Sequence, residues 1–338
     1  MNSKQAIGSS IVNLAAVIII IVGLMAAKDI VVPILLAIFI TILVTPLLNW
    51  LQKKGLNSSF AIVGVIAILI IVMTLFGLII SASLHDFASN LPEYEAKLRQ
   101  MLSNIMAFFH SLGMEFSDEM ISSLIDPRKI AQFASQIVKG FGSALTSGLV
   151  LLLLIVFMLL EASTLPKKLN AIHMDALSHA KDILHSVKQY MMLKSLFSLL
   201  TGLLVYLFLL FMGLDYALLW GVLVFLLNFI PTIGSIIAAV PAVILALIQL
   251  GFVGAIEVAV LFLVVNILIG SILEPKYMGQ GLGLSTLVVF ISLIFWGWVF
   301  GPIGMLLSVP LTIVLKLALF TNPRTRWIAL LLGSDIKA

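Results

Sequence analysis

Residues 228–235 read Asn228-Phe229-Ile230-Pro231-Thr232-Ile233-Gly234-Ser235 and precede Val240-Pro241, and residues 300–304 read Phe300-Gly301-Pro302-Ile303-Gly304 and precede Val309-Pro310. Both stretches place a proline shortly before an Ile-Gly pair, with apolar arms on either side. Each arm has about 15 residues, or roughly 22 Å of helix, whereas a hydrocarbon core is about 30 Å thick. The pattern therefore predicts two re-entrant helical hairpins, residues 216–250 and 284–320, that turn inside a membrane and return.

The turn of such a hairpin leaves backbone groups without helical partners. Lipid cannot satisfy these groups, so the turn must be buried in protein or line an aqueous cavity. Paired broken helices in two related units are the best pointer in a sequence to the binding site of a transporter.

The composition independently indicates a membrane protein. Of 338 residues, 62% are hydrophobic and 10% are charged, and the mean hydropathy is +1.23, whereas a soluble domain carries about 25% charged residues. The formal charge of +4 does not indicate nucleic-acid binding, because the basic residues lie at loop ends, where membrane topology explains them.

Several kinds of chemistry are not expected. The chain has no cysteine, which excludes disulfides and thiolate metal ligands. No P-loop is present, and His173, His179 and His185 are spaced around a helix rather than along one face. We predict no cofactor, no metal site and no enzymatic activity.

The predicted fold class is an all-α integral membrane protein in which two re-entrant hairpins accompany about six full transmembrane helices. The six apolar runs are Ala6–Ala27, Ile30–Leu51, Phe60–Leu84, Phe141–Leu160, Met191–Met212 and Phe252–Leu273. The predicted regions are the first three transmembrane helices (1–84), an extramembrane helical insert (85–140), the fourth transmembrane helix with a cytoplasmic amphipathic connector (141–190), a transport domain (191–320) and a cytoplasmic tail (321–338).

Charge predicts the orientation. Lys53 and Lys54, the lysines after the fourth span, and Arg324 and Arg326 all fall on one side if both termini are cytoplasmic, as the positive-inside rule requires. The fifth span with the first hairpin, and the sixth span with the second hairpin, then have opposite orientations. That is an inverted repeat, although four full crossings in place of the hairpins would give the same sidedness.

The same residues resemble a known family. Asn228–Gly234, Glu274-Pro-Lys-Tyr-Met-Gly279 and the run from Gly281 to Pro310 are similar to the autoinducer-2 exporter family of bacterial multi-pass transporters, as is Val32–Ala37. Many members carry His-Pro where this chain has Ser285-Thr286, a departure that resembles the subgroup of the autoinducer-2 exporter itself.

The resemblance implies export of autoinducer-2, a small polyhydroxylated quorum-sensing signal, across the bacterial inner membrane. It also implies an elevator-type movement of the hairpin region, and a homo-oligomer that is a pentamer. The expected partners are therefore the signal molecule, the lipid bilayer and further copies of the chain, with no nucleic acid.

Polar side chains and turn residues near the two Pro/Gly stretches are the candidate substrate-binding residues, because a hydroxyl-rich ligand in a dry site needs matched donors and acceptors. They are Asn228, Pro231, Thr232, Gly234 and Ser235 in the first hairpin, Gly301, Pro302, Gly304 and Ser308 in the second, and Asn266 in the sixth span.

Each candidate has a plainer interpretation. Pro and Gly also occur as kinks in ordinary transmembrane helices, and Asn266 could simply bond a neighbouring helix. Glu257 is the ion-coupling candidate, since it is the carboxylate within a span, but it lies near the outer end of that span and could be a surface group. Lys194 and Lys316 are expected to snorkel to the cytoplasmic surface.

Two other functions remain open. A sodium/proton antiporter would need a buried carboxylate that exchanges a proton for a cation, for which Glu257 is the candidate. A non-transporting membrane scaffold or receptor could use the 85–140 insert for contacts, but it would have no use for broken helices.

Overall fold

The computed structural model describes residues 3–111, 148–162, 174–231, 233–278, 284–321, 323 and 325–333. Every regular element in these residues is helical, which confirms the all-α prediction for this part of the chain. The helices are α1 Ser3–Ala26, α2 Lys28–Lys53, α3 Ser58–Ser111, α4 Gly148–Ala162, α5 Met174–Phe211, α6 Ala217–Leu227, α7 Ile233–Val265, a π-helix Asn266–Leu273, α8 Glu274–Met278, α9 Thr286–Phe300, α10 Pro302–Leu306, α11 Ser308–Thr321 and α12 Arg326–Leu331.

Four helical segments are long and apolar enough to cross a membrane: Lys28–Lys53, Ser58–Met101, Leu184–Phe211 and Ile233–Tyr277. Shorter apolar helices accompany them, and the predicted span Phe141–Leu160 lies partly outside the described residues. Large apolar side chains cover the outside of the molecule, and Phe211 is 90% exposed. An exterior of this kind suits lipid rather than water.

The predicted boundaries at Leu84 and Tyr190 do not coincide with helix ends. α3 continues past Leu84 to Ser111, through Pro92, where the ion pairs Glu93–Lys97 and Glu95–Arg99, each 2.8 Å long, support the helix. α5 likewise passes without a break from the polar connector into the apolar span. The drop in hydropathy marks where apolar surroundings end, but a helix can continue through it.

The chain reverses direction in both Pro/Gly stretches. A Cβ on Gly234 would lie 2.6 Å from the carbonyl carbon of Leu227, although seven residues of straight helix would separate these two by about 10 Å. In the second stretch, the indole Nε1 of Trp296 donates to Oγ1 of Thr312 at 3.0 Å, across a separation of about 24 Å in a straight helix. Residues 217–250 and Thr286–Thr321 therefore form helical hairpins.

The turns have local causes. Gly301 has φ +71°, a conformation that L side chains rarely adopt, and Pro302 follows as the first residue of α10, where its missing N–H costs no hydrogen bond. Gly251, at φ +77°, interrupts α7 and separates the second arm of the first hairpin from the segment 252–265.

The buried side chains form separate clusters. Helices α2, α3 and α4 share one cluster, which includes Ala37, Val65 and Leu159. A larger cluster joins α5 to the first hairpin and to the segment after Gly251. A third contains Phe229 from the turn of the first hairpin and Leu307 from that of the second, so both turns contribute to a common apolar core.

Candidate functional site

Asn228 lies at the end of the first arm of the first hairpin, and its side-chain amide is bonded to α5. Asn228 is the residue after α6, is 7% exposed, and donates through Nδ2 to Oγ of Ser198 at 3.0 Å. Ser198 is fully buried. A buried amide with this partner is satisfied in part and keeps further hydrogen-bonding capacity.

The second arm of the same hairpin is bonded to the helix that follows it. Ser235 is buried, and its Oγ donates to Oδ1 of Asn266 at 3.0 Å. Asn266 is the first residue of the π-helix. π-helical turns are rare in proteins, and those that occur often lie at functional sites. Asn266 thus bonds a neighbouring segment, as its plainer interpretation allows, but that segment is the hairpin itself.

Close backbone packing accounts for Gly234 in the first hairpin and Gly304 in the second. Gly234 is buried against the carbonyl of Leu227, and a Cβ on Gly304 would lie 2.7 Å from the carbonyl carbon of Trp296. No side chain fits at either position without separating the arms. Thr232 lies outside the described residues, and Pro231 is half-buried at the turn.

Ser308 begins the second arm of the second hairpin and is fully buried. Its hydroxyl has no hydrogen-bond partner among the described residues, and the same holds for the hydroxyls of Thr41 and Ser195. An unpaired buried hydroxyl is unfavourable. Ser308 is therefore a group whose hydrogen bond a ligand or a water could complete.

Lys194 and Glu274 form a buried ion pair that the sequence did not reveal. The Nζ of Lys194 lies 2.6 Å from Oε1 of Glu274, and the two side chains are 4% and 13% exposed. The prediction that Lys194 reaches the membrane surface is wrong, because α5 packs against α8 and the carboxylate of Glu274 holds the ammonium inside.

Glu257 is exposed on the segment after Gly251, surrounded by exposed apolar residues. It forms no ion pair within the described part of the chain. Its role in ion coupling stays a prediction.

A polar network joins α3 to the base of the first hairpin, where the hairpin begins and ends. The hydroxyl of Tyr94 donates to Oδ2 of Asp215 at 2.8 Å, and Nδ2 of Asn90 donates to the hydroxyl of Tyr216 at 2.9 Å. The amide of Gln249 accepts from the backbone of Asp215 at 3.0 Å. Both ends of the hairpin are thereby held together and against α3.

Sequence reasoning missed Ser198, which bonds the Asn228 amide, and Glu274, which pairs with Lys194. A polar stripe on α5 was the available signal: Lys194, Ser198 and Thr201 recur at helical spacing and are all buried. Glu274 directly follows an apolar run, and its partner is distant in the sequence. Spacing alone therefore could not pair the two.

Comparison with known proteins gives one consistent family. A family model described as AI-2E family transporter matches residues 14–322. The chain is 40% identical over 329 residues to the putative transport protein YhhT of Escherichia coli (strain K12), which covers 96% of this chain and 93% of YhhT. It is 39% identical over 342 residues to a putative transport protein of Haemophilus influenzae, with 98% of each chain covered.

A third relative carries a substrate in its name. The chain is 36% identical over 326 residues to the AI-2 transport protein TqsA of Escherichia coli (strain K12), covering 96% of this chain and 95% of TqsA. The family and these relatives are described as transport proteins rather than enzymes, which confirms the predicted family and the prediction of a non-enzyme. The apolar helices and the family match together make this a multi-pass membrane protein, and the chain belongs to the AI-2E family of transporters.

Proposed function

We propose that this protein is a secondary transporter that exports autoinducer-2, or a similarly small and hydroxyl-rich molecule, across the bacterial inner membrane. The observation that carries the proposal is the common core of the two hairpin turns, whose members Phe229 and Val309 directly follow the buried polar residues Asn228 and Ser308 in the chain. A hydroxyl-rich ligand would exchange its bonds to water for bonds to these groups. The name of TqsA supports autoinducer-2 as the substrate.

The hairpins are re-entrant in this proposal. Phe225, one turn before the end of the first arm, packs against Phe76 with ring centroids 6.1 Å apart. Phe76 lies about 18 residues, or about 27 Å, along α3 from its start at Ser58. The first arm would therefore turn back before it reaches the level at which α3 begins.

An elevator-type movement would carry the hairpins past α2, α3 and α4, and it would have to break the bonds that Tyr94 and Asn90 of α3 make to the base of the first hairpin. The cluster shared by these three helices supports this division, since most of its residues are distinct from those that pack on the hairpins. The proposal includes a homo-oligomer, a pentamer, with both termini in the cytoplasm. Native mass spectrometry and terminal accessibility in oriented vesicles test these two parts separately.

The test of function uses purified full-length protein in proteoliposomes. With equal unlabelled autoinducer-2 inside and outside, exchange of isotope-labelled autoinducer-2 requires only binding and movement of the loaded carrier. We expect exchange well above that of empty liposomes. No exchange of autoinducer-2 by correctly assembled protein would refute this substrate.

A matched pair of α5 variants links the flux to the site. Ser198→Ala removes the acceptor of the Asn228 amide, and we expect slower exchange. Thr201→Val is the control, because the Thr201 hydroxyl is equally buried but bonds only to the Phe197 carbonyl of its own helix. Equal exchange rates in the two variants would remove Asn228 and Ser198 from the proposed site.

Sodium/proton antiport is a second candidate function. The burial of the Glu274 side chain favours it, whereas the ion pair of Glu274 with Lys194 does not. The carboxylate is largely buried, as an exchanging group in an antiporter requires. The ion pair with Lys194 argues against a cation site, because the lysine ammonium already neutralises the carboxylate of Glu274. A sodium flux driven by a pH gradient without any autoinducer-2 would favour the antiporter.

A further inference from the structure

A chain of three hydrogen bonds connects α3 to the residues that precede the first arm of the first hairpin. The side-chain amide of Asn90 donates to the hydroxyl of Tyr216 at 2.9 Å. The hydroxyls of Tyr216 and Tyr94 lie 3.2 Å apart, and the Tyr94 hydroxyl donates to Oδ2 of Asp215 at 2.8 Å. Since the single proton of Tyr94 is directed to the carboxylate, the Tyr216 hydroxyl donates to Tyr94. Each phenol thus accepts one bond and donates one.

Farther along α3, apolar side chains pack on the first arm of the hairpin. Ile80 shares one buried cluster with Leu219 and Val222, and the ring of Phe76 packs on that of Phe225. Apolar contact is non-directional, so it allows one helix to slide along the other. Hydrogen bonds weaken steeply when their angles change, so the three-bond chain fixes one position of the hairpin along α3.

The backbone of Tyr216 is strained. Its φ of +59° and ψ of 29° are left-handed, and among the described residues it alone combines a side chain with a positive φ. Gly213, three residues earlier, adopts φ +73° without that steric penalty. A strained residue persists only where its surroundings over-determine it. Here they are the bonds to Asn90 and Tyr94, and the edge-to-face contact with Phe87, whose ring centroid is 6.0 Å away.

Side-chain contacts and backbone strain therefore oppose each other at the base of the hairpin. Tyr216 is the residue before α6, so its φ and ψ set the direction in which the first arm begins. If the phenol lost its partners, the backbone would relax toward a negative φ, and the arm would change direction. This segment thus has two arrangements, one favoured by the side chains and the other by the backbone.

We propose that Asn90, Tyr94, Asp215 and Tyr216 form a latch that holds the first hairpin in one end state of the transport cycle, an inference that rests on the proposed function. The structure shows the latched state. When the hairpin moves past α3, the polar groups exchange their three bonds for bonds to water. Water can reach them, because Asn90 is exposed and Asp215 and Tyr216 are partly exposed. Relief of the strain at Tyr216 offsets part of the cost of release.

The base of the hairpin can leave α3 as one unit. The side-chain oxygen of Gln249, near the end of the second arm, accepts from the backbone N–H of Asp215 at 3.0 Å. Its side-chain nitrogen donates to the carbonyl of Gly213 at 3.2 Å. The indole of Trp220 donates to the carbonyl of Asp215 at 3.1 Å. These bonds lie within the hairpin and the loop before it, so release of the latch leaves them intact.

The first test measures the position of the hairpin without any transport. Because the chain has no cysteine, spin labels can be attached to cysteines introduced at Ala96 of α3 and Leu218 of the first arm, both of which are exposed. Double electron–electron resonance on full-length protein in nanodiscs, diluted with unlabelled protein, reports the distance between the labels. We expect one main distance in the labelled parent, which is that of the latched state.

Tyr94→Phe combined with Tyr216→Phe keeps both rings and removes all three bonds. We expect a second distance, with the ratio of released to latched protein at least about fivefold higher than in the parent, the factor for one net hydrogen bond. Asn90→Ala removes one bond at an exposed residue and should have a smaller effect. Tyr277→Phe is the matched control, because Tyr277 is exposed and far from the latch in the chain, and it should keep the parent distance. A double variant that also keeps the parent distance would overturn the proposal.

The second test asks whether release is part of transport. Ile80→Cys with Leu219→Cys places a short reducible crosslink between α3 and the first arm, within one buried cluster. We expect crosslinking to lower exchange of labelled autoinducer-2 in proteoliposomes to that of empty liposomes, and reduction to restore it. Exchange at the parent rate by fully crosslinked protein would overturn the latch. If the parent itself does not exchange autoinducer-2, the proposed function fails, and the label distances of the double variant still decide whether the hairpin has a released state.

Discussion

Gly234 allows the two arms of the first hairpin to touch, and replacing it should open the hairpin. A Cβ at this position would lie 2.6 Å from the carbonyl carbon of Leu227, whereas two carbon atoms in ordinary contact are about 3.5 Å apart. The arms of Gly234→Ala must therefore separate by at least roughly 0.9 Å, because the carbonyl oxygen of Leu227 lies closer still to this position. The adjacent bond from Asn228 to Ser198, now 3.0 Å long, would exceed the limit of a hydrogen bond.

The expected cost has two parts. Overpacking against backbone costs about 1–3 kcal/mol, and the lost hydrogen bond adds about 1 kcal/mol. A total of about 3 kcal/mol lowers the apparent melting temperature of a chain this size by about 6 °C, since each kcal/mol is worth roughly 2 °C.

The assay is thermal unfolding of the detergent-solubilised protein, followed by exchange in proteoliposomes. Gly77→Ala is the control, because a Cβ at Gly77 meets nothing within 4 Å and alanine is favoured over glycine in a helix. We expect Gly77→Ala to match or exceed the parent in stability. If Gly234→Ala is as stable as Gly77→Ala and exchanges substrate normally, the close approach of the two arms is refuted.

Three further predictions concern the turns and the carboxylate outside them. Cysteines at Phe229 and Leu307, which share one buried cluster, should crosslink with short reagents in this cysteine-free chain, and failure to crosslink in assembled protein would contradict a common core. Asn228→Ala should reduce exchange more than it reduces the melting temperature, measured side by side; normal exchange by stable protein would exclude Asn228 from binding. Glu257→Gln should keep the proposed export of autoinducer-2, since Glu257 is exposed, and complete loss in normally assembled protein would instead favour an obligatory carrier role.

The chain reversals were predictable from sequence because Pro and Gly have local conformational effects. Gly301 needs a positive φ, Pro302 suits the first position of a helix, and Gly234 and Gly304 have no room for a side chain. These requirements involve residues close in the chain, so a short motif records them. The same tight packing makes Gly304 unsuitable for a crosslinking cysteine.

Other features were not predictable because they depend on distant contacts. Asn228 was a candidate from the sequence, but its partner Ser198 is 30 residues away. Lys194 and Glu274 are 80 residues apart, and an isolated lysine near the end of a span fits snorkelling equally well. Helix continuity beyond Leu84 also escaped prediction, because hydropathy indicates the surroundings of a helix rather than its length.

The length of α3 has a mechanical consequence. A helix of 54 residues is about 80 Å long, so about 50 Å of it must project beyond a hydrocarbon core of about 30 Å. Tyr94 and Asn90 form hydrogen bonds that join this projecting part of α3 to the base of the first hairpin. A molecule that binds α3 near Ser111 and displaces it would therefore act with leverage on the base of the first hairpin.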